Sequence, residues 1–340
     1  MYDDCKKQME MISGYAGACP AYVQGGGGNT SVKFDERLMA IKASGYTLAQ
    51  ITAEKGYVTV DYSKIREYYN TVDPNAGRDF EKESLSVNLG SIVLLSGMEE
   101  KRPSVEVGFH SFLSRCVIHT HSVYANLLCC SVEGQSIAEE VFAGSGITYL
   151  FIPYIDPGFR LTLAIRRALA FETKSGCSPD ALFLENHGVI VHNESASKAI
   201  AIHEEVNNRI KEYFKLPDFP DPRIKKTADA YMNDTAYLME FIAQNKAYEE
   251  YFNLLKLYPD QLVYLGGKMG NQIQINRDSG DLTYFSGEKE ALAMHETLLG
   301  AAFVIDLIKK AGLTLRQMDE AGAAFINNWE SEKYRSNLMK

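Results

Sequence analysis

Paired cysteine motifs are missing from this sequence. Its six cysteines (Cys5, Cys19, Cys116, Cys129, Cys130 and Cys177) form no CxxC pair and no evenly spaced framework, which speaks against a disulfide scaffold or a dithiol redox site. Cys129 and Cys130 are adjacent, and the ring that a bond between neighbours would close is strained. All six are expected as reduced core residues. Positive charge is also short, since 35 Lys and Arg against 44 Asp and Glu leave a formal net charge of −9. That balance argues against general binding to nucleic acid or to an anionic membrane, while leaving room for a local basic pocket. No charged-then-apolar leader opens the chain, Met1 to Glu10 being mixed and polar. The cytoplasm is therefore the expected location.

What is present is ordinary for a globular protein: 340 residues, 46% hydrophobic and 23% charged. That length exceeds the usual single-domain range, so one large domain plus a smaller one is expected. The proline-rich run Leu-Pro-Asp-Phe-Pro-Asp-Pro-Arg at 216–223 is the one clear break, dividing residues 1–217 from a C-terminal extension, 218–340. Before the break, helical patterns (2–18, 80–95, 121–130, 161–173, 195–214) alternate with short apolar strands (38–43, 57–60, 116–118, 148–152, 181–184, 188–192). Such alternation indicates a layered α/β domain. After it, 225–258 reads helical, 272–276 and 282–285 read as a hairpin around Asp278-Ser279-Gly280-Asp281, and helices follow at 288–310 and about 315–329.

The chemistry gathers in residues 103–128, PSVEVGFHSFLSRCVIHTHSVYANLL. Pro103 suits the start of a helix with Glu106 in its first turn, where a glutamate also serves as a favourable charge. The apolar run Cys116 to Ile118 reads as a buried strand leading into His119 and His121. Side chains two apart on a strand share a face, so both imidazoles can turn toward one point. An HxH pair alone is a weak metal signal, and a third ligand is needed. Asn186-His187-Gly188 supplies one directly after the strand 181–184, and three neutral imidazoles with an open position suit zinc or a similar divalent ion. His110 reads as a supporting residue, and His192 and His203 as surface residues. The glycine run Gly25 to Gly28, followed by Asn29, Thr30 and Ser31, can turn backbone amides toward an anion, and reads equally as a flexible turn.

Taken in order, GGGGNTS at 25–31, SG at 44–45, PSVE at 103–106, HTHSVYANLL at 119–128 and ENHGVIV at 185–191 resemble the class II aldolase/adducin family over the first two thirds of the chain. The resemblance implies a three-layer α/β/α fold around a central, largely antiparallel sheet, with a smaller α+β segment behind it. It implies that His119, His121 and His187 hold Zn2+ or another divalent metal ion and that Glu106 is the general acid/base beside it. The substrate phosphate is then held by Asn29, Thr30, Ser31, Ser44, Gly45 and Ser104. Sugar-phosphate lyases of the family often carry a second serine where this chain has Val105, so one phosphate hydroxyl is missing. The implied activity is metal-dependent aldol cleavage of a ketose phosphate through a metal-stabilised enediolate. Epimerase, decarboxylase and dehydratase chemistry on a related sugar phosphate or sugar acid shares the same constellation. The family also includes adducin-like interaction modules without catalysis, which have no reason to keep the three histidines and the glutamate together. A homo-oligomer, in the family commonly a tetramer, is implied as well. No role is assigned to residues 218–340.

Overall fold

A computed structural model of the chain describes residues 2–94, 101–174, 178–245, 256–276 and 278–329. Helix α1 (Tyr2–Gly17) buries Cys5, Met9, Ile12 and Ala16 on one face and carries Asp3 and Asp4 in its first turn, where they complement the helix dipole. Three strands follow, β1 (Asn29–Lys33), β2 (Leu38–Lys42) and β3 (Tyr57–Asp61). Next come α2 (Tyr62–Thr71), α3 (Phe80–Gly90) and the single-turn α4 (Val107–His110). Then β4 (Cys116–Thr120), α5 (Val123–Cys129), α6 (Gly134–Val141), β5 (Tyr149–Ile152), α7 (Phe159–Lys174), β6 (Ala181–Leu184), β7 (Gly188–Asn193) and α8 (Ala196–Tyr213) complete the first part.

These strands form one seven-stranded sheet in the order β3-β2-β1-β4-β7-β6-β5. The sheet is mixed. β5 runs parallel to β6 while the other neighbours are antiparallel, so the expected largely antiparallel sheet is amended at that edge. The reason is local: α7 joins β5 to β6, and a parallel pair needs such a crossover. β4 lies in the middle and is buried on both faces. Cys116 and Ile118 pack with Met9, Ile12 and Ala199 of α1 and α8, whereas Val117 packs with Phe109, Leu161 and Ile165 of α4 and α7. That double burial explains a continuous apolar run rather than an alternating one.

Two local expectations change. The helix does not begin at Pro103, which bridges Ala43 across the strands while the Ser104 amide donates to the Lys42 carbonyl; Glu106 stands just ahead of α4 instead of inside it. The expected helix 225–258 is instead β8 (Ile224–Lys226), β9 (Tyr231–Asn233) and α9 (Ala236–Gln244), with 246–255 outside the described residues. Pairing decides this: a tight turn links the Thr227 amide to the Ala230 carbonyl, and β9 gains a second partner further along the chain. Tertiary pairing overrides propensity here.

The remaining elements are α10 (Pro259–Leu265), β10 (Ile273–Ile275), β11 (Leu282–Tyr284), α11 (Glu288–Lys310) and α12 (Glu320–Asn328). The hairpin falls where expected and joins a four-stranded sheet, β10-β11-β9-β8. The last helix starts later than expected, at Glu320, because Asp319 caps it by accepting the Gly322 amide at 2.7 Å. α11 is long and apolar enough to cross a membrane, with a mean hydropathy of 1.6, yet 83% of that window is buried inside the protein. It is a core helix: Leu298, Phe303 and Leu307 share one hydrophobic cluster with Leu127, Leu128 and Phe183. Cys5, Cys19, Cys116, Cys129 and Cys130 are free thiols, all but Cys19 buried; Cys177 and Leu95 lie outside the described residues.

Candidate metal centre

The register of the central sheet brings the histidines together. On one side of β4 His119 lies opposite Asn29, and on the other Thr120 lies opposite Val189, next to the turn that carries His187. That turn places Asn186 in the left-handed region at φ 51°, a conformation asparagine tolerates. Asn186 is tied down by its amide to the Cys129 carbonyl and by its side chain to the carbonyls of Leu257 and Arg316, at 2.8 and 3.0 Å. Gly188 permits the closest approach, because a Cβ there would stand 2.3 Å from the Thr120 carbonyl oxygen. The outcome is a buried cluster in which one nitrogen from each of His119, His121 and His187 lies within 4.8 Å of the others.

The protonation state of His119 suits metal binding. Burial pushes His119 down to about 4, so its ring is neutral at pH 7, the ligating form. Its Nδ1 donates to the Val189 carbonyl at 3.0 Å, which leaves the Nε2 lone pair facing inward. His121 Nδ1 bonds Asp260 Oδ2, and its Nε2 lies 3.3 Å from that of His119. Glu106 closes the group, with Oε2 3.4 Å from His119 Nε2 and Oε1 3.3 Å from His187 Nε2. Although it is near His187, Glu106 Oε1 is a buried oxygen with no hydrogen-bond partner. An orphaned carboxylate oxygen beside converging imidazole nitrogens is a donor set that a divalent cation satisfies. The residues present therefore fit the implied metal.

The residues implied for phosphate binding divide into three groups. Asn29 donates its amide to Glu106 Oε2 at 2.6 Å and accepts from His110 Nε2, whose other nitrogen bonds the Ser31 hydroxyl at 2.7 Å. Asn29, Ser31, His110 and Glu106 thus form one buried chain, and burial pushes His110 down to about 3. Thr30 projects from the opposite face of β1 and bonds Ser13 of α1 at 2.6 Å. Ser44, Gly45 and Ser104 gather around the Ala43–Pro103 bridge. There the Ser44 hydroxyl donates to the Pro103 carbonyl at 3.1 Å, its amide donates to the Arg102 carbonyl, and Ser44 and Ser104 line a shared cavity with Arg102 and Val105.

The largest departure from expectation comes from the C-terminal extension. The amides of Gly25 and Gly26, candidates for an anion, are taken by Glu296 Oε2 at 2.6 Å and the Tyr264 hydroxyl at 3.0 Å. Burial pushes the Glu296 carboxyl up to about 7. Asp260, which holds His121, gave no local signal: after Pro259 at a helix start it reads as an ordinary first-turn charge. His203 and His192 are buried, not on the surface. His203 bonds Thr120 at 2.7 Å and Tyr15 at 3.1 Å, and His192 bonds Ser114 at 3.0 Å. For His203 a signal existed, since it shares the α8 stripe of Ala199, Val206 and Ile210.

Comparison with known proteins identifies the family. A family model described as the class II aldolase and adducin N-terminal domain matches residues 18–214, more than half of the chain. The uncharacterized oxidoreductase YuxG of Bacillus subtilis (strain 168) is 28% identical over 205 residues, 55% of this chain; the chain spans only 27% of that relative's length. The N-terminal class II aldolase domain of a conserved protein from Thermoplasma acidophilum has 22% identity and a TM-score of 0.51, over 61% of this chain and 92% of that one. An L-fuculose 1-phosphate aldolase has 24% identity and a TM-score of 0.42, over 62% and 84%. With the family model covering the glycine loop, the acid and all three histidines, the chain belongs to the class II aldolase and adducin family.

Proposed function

We propose that this chain is a divalent-metal-dependent carbon–carbon lyase that cleaves an α-hydroxyketone sugar, in its specific form a ketose phosphate, through an enediolate. The observation that carries the reading is Glu106 Oε1, buried and without a hydrogen-bond partner beside three converging imidazoles. His119, His121 and His187 would hold the cation, Zn2+ or another divalent ion. When bound it supplies Lewis-acid stabilisation for negative charge developing on the substrate carbonyl oxygen. The chain's own residues manage the proton. Asn29 occupies Glu106 Oε2, so Oε1 is the atom free to accept a proton from the substrate hydroxyl and to return one to carbon. His110 and Ser31 hold Asn29 in place, and the near-complete burial of all four excludes bulk water. Epimerisation, decarboxylation or dehydration of a related sugar would use the same atoms. A homo-oligomer in the cytoplasm, with helices layered on both faces of the sheet, completes the proposal.

The test combines metal analysis with two substitutions and a panel of phosphorylated and free ketoses and sugar acids assayed for carbonyl or carbon dioxide release. His119→Ala is expected to lose metal and turnover together. Glu106→Gln is expected to keep metal and lose turnover by about 10²- to 10⁴-fold, the usual worth of a positioned acid/base. Full-speed turnover by Glu106→Gln would remove the carboxylate from the mechanism. Protein purified in metal-replete buffer that holds no stoichiometric divalent ion would instead favour the adducin-like interaction module.

A further inference from the structure

The glycine run and the C-terminal extension meet residue by residue. Gly25 donates to Glu296 and Gly26 to the Tyr264 hydroxyl. Gly27 contributes space, since a Cβ there would stand 2.5 Å from Asp260 Oδ2 and 2.9 Å from His121 Nδ1. Asp260 therefore reaches His121 through a gap that only glycine leaves. One short helix, α10, supplies both Asp260 and, four residues on, Tyr264, so the contact with the loop and the contact with the histidine share one support.

The carboxylate of Asp260 is fully buried, and a buried charge demands a partner. Its bond to His121 Nδ1 fixes the proton on that nitrogen and leaves the Nε2 lone pair facing His119. The two neighbouring ligands are thus oriented differently, His119 by a backbone carbonyl and His121 by an anion. An anionic partner makes the ring the more basic donor, and such partners tune metal affinity as well as ring orientation.

We propose that Asp260 is a positioning residue of the metal centre, and that the C-terminal extension, which lies beyond the family-matched residues 18–214, completes that centre within the same chain. The inference rests on the reading of His119, His121 and His187 as ligands. Asp260 acts through His121, and Gly27 acts by admitting Asp260.

Full-length wild type, Asp260→Asn, Asp260→Ala and Gly27→Ala, each stripped of metal, are titrated with Zn2+ against a chromophoric chelator and with Co2+ for its visible spectrum. Asp260→Ala and Gly27→Ala are expected to bind Zn2+ about 10- to 100-fold more weakly. Asp260→Asn keeps an acceptor but no charge, and falls in between. The Co2+ spectrum changes in all three while far-UV circular dichroism does not. Variants that bind as tightly as wild type, with its spectrum, overturn the assignment of Asp260 alone. A wild type that takes up no divalent ion overturns the metal centre and this assignment together. Where the variants fail to fold, histidine 15N spectra of Zn2+-loaded wild type decide. A hydrogen-bonded proton on His121 Nδ1 with Nε2 ligating supports the role, and ligation through Nδ1 overturns it.

Discussion

Single residues without side chains set the spacing of the site. Gly28 sits at φ +66°, and a Cβ there would lie 2.6 Å from the His119 carbonyl oxygen. Gly28→Ala therefore adds left-handed strain of about 1–2 kcal/mol to a clash with backbone that cannot yield. Denaturant unfolding is expected to show a loss of at least about 1 kcal/mol, with weaker metal binding as β1 is pushed from His119. Gly14 makes the opposite case. It lies inside α1 and an added Cβ would meet nothing within 4 Å, so Gly14→Ala is expected to stabilise by about 0.5–1 kcal/mol. The same measurement checks both signs.

At the scale of elements, α11 is a core helix that carries a buried imidazole. His295 bonds Thr235 through Nε2 at 3.0 Å and the Tyr284 hydroxyl through Nδ1 at 2.9 Å. Burial pushes it down to about 4 from an ordinary 6.5. The unfolded chain thus takes up a proton below pH 6.5 that the folded chain refuses until about pH 4. The contribution of the neutral ring is present above 6.5 and lost as pH falls through that window. His295→Gln removes the titration. Its stability deficit against wild type, measured in urea at pH 7.5 and 4.5, is expected to narrow at the lower pH; an unchanged deficit would show that His295 titrates alike in both states. His203 of α8, pushed down to about 3 by burial, acts in the same direction. Half-buried Glu81 and Glu296, both pushed up to about 7 by desolvation, act in the opposite one. Comparing variant with wild type isolates His295 from all of these.

Across the whole molecule, one hydrophobic cluster joins Leu127 and Phe183 to Leu298 and Phe303, on either side of the proline-rich break. Apolar surface shared in this way couples the two parts. Trp329, the chain's single tryptophan, offers a probe: it follows α12 and approaches Gly158 at the start of α7. Its fluorescence and far-UV circular dichroism are expected to report one coincident denaturant transition. An earlier transition by fluorescence alone would mark 218–340 as an independently folding domain. Truncation to 1–217 is expected to expose the α5 face that α11 covers and to yield aggregated protein, checked by size-exclusion chromatography.

The convergence of His119, His121 and His187 and the strands that deliver them were legible in the sequence, because each depends on local rules. Two-residue periodicity put His119 and His121 on one face at the end of β4, and a short turn put His187 at the end of β6. His110 was expected as a support from a helix shared with Glu106, and it acts instead through Asn29 and Ser31 of β1. The surroundings of the triad depend on contacts from far along the chain. Asp260 lies 139 residues from His121, Glu296 lies 271 from Gly25, and no periodicity reaches so far. The glycine amides could be matched to their acceptors, and β9 to its second neighbour β11, only once distant partners were in place. Hydrogen-bond pairing between remote segments is settled by packing of the whole chain, and neither partner carries it alone.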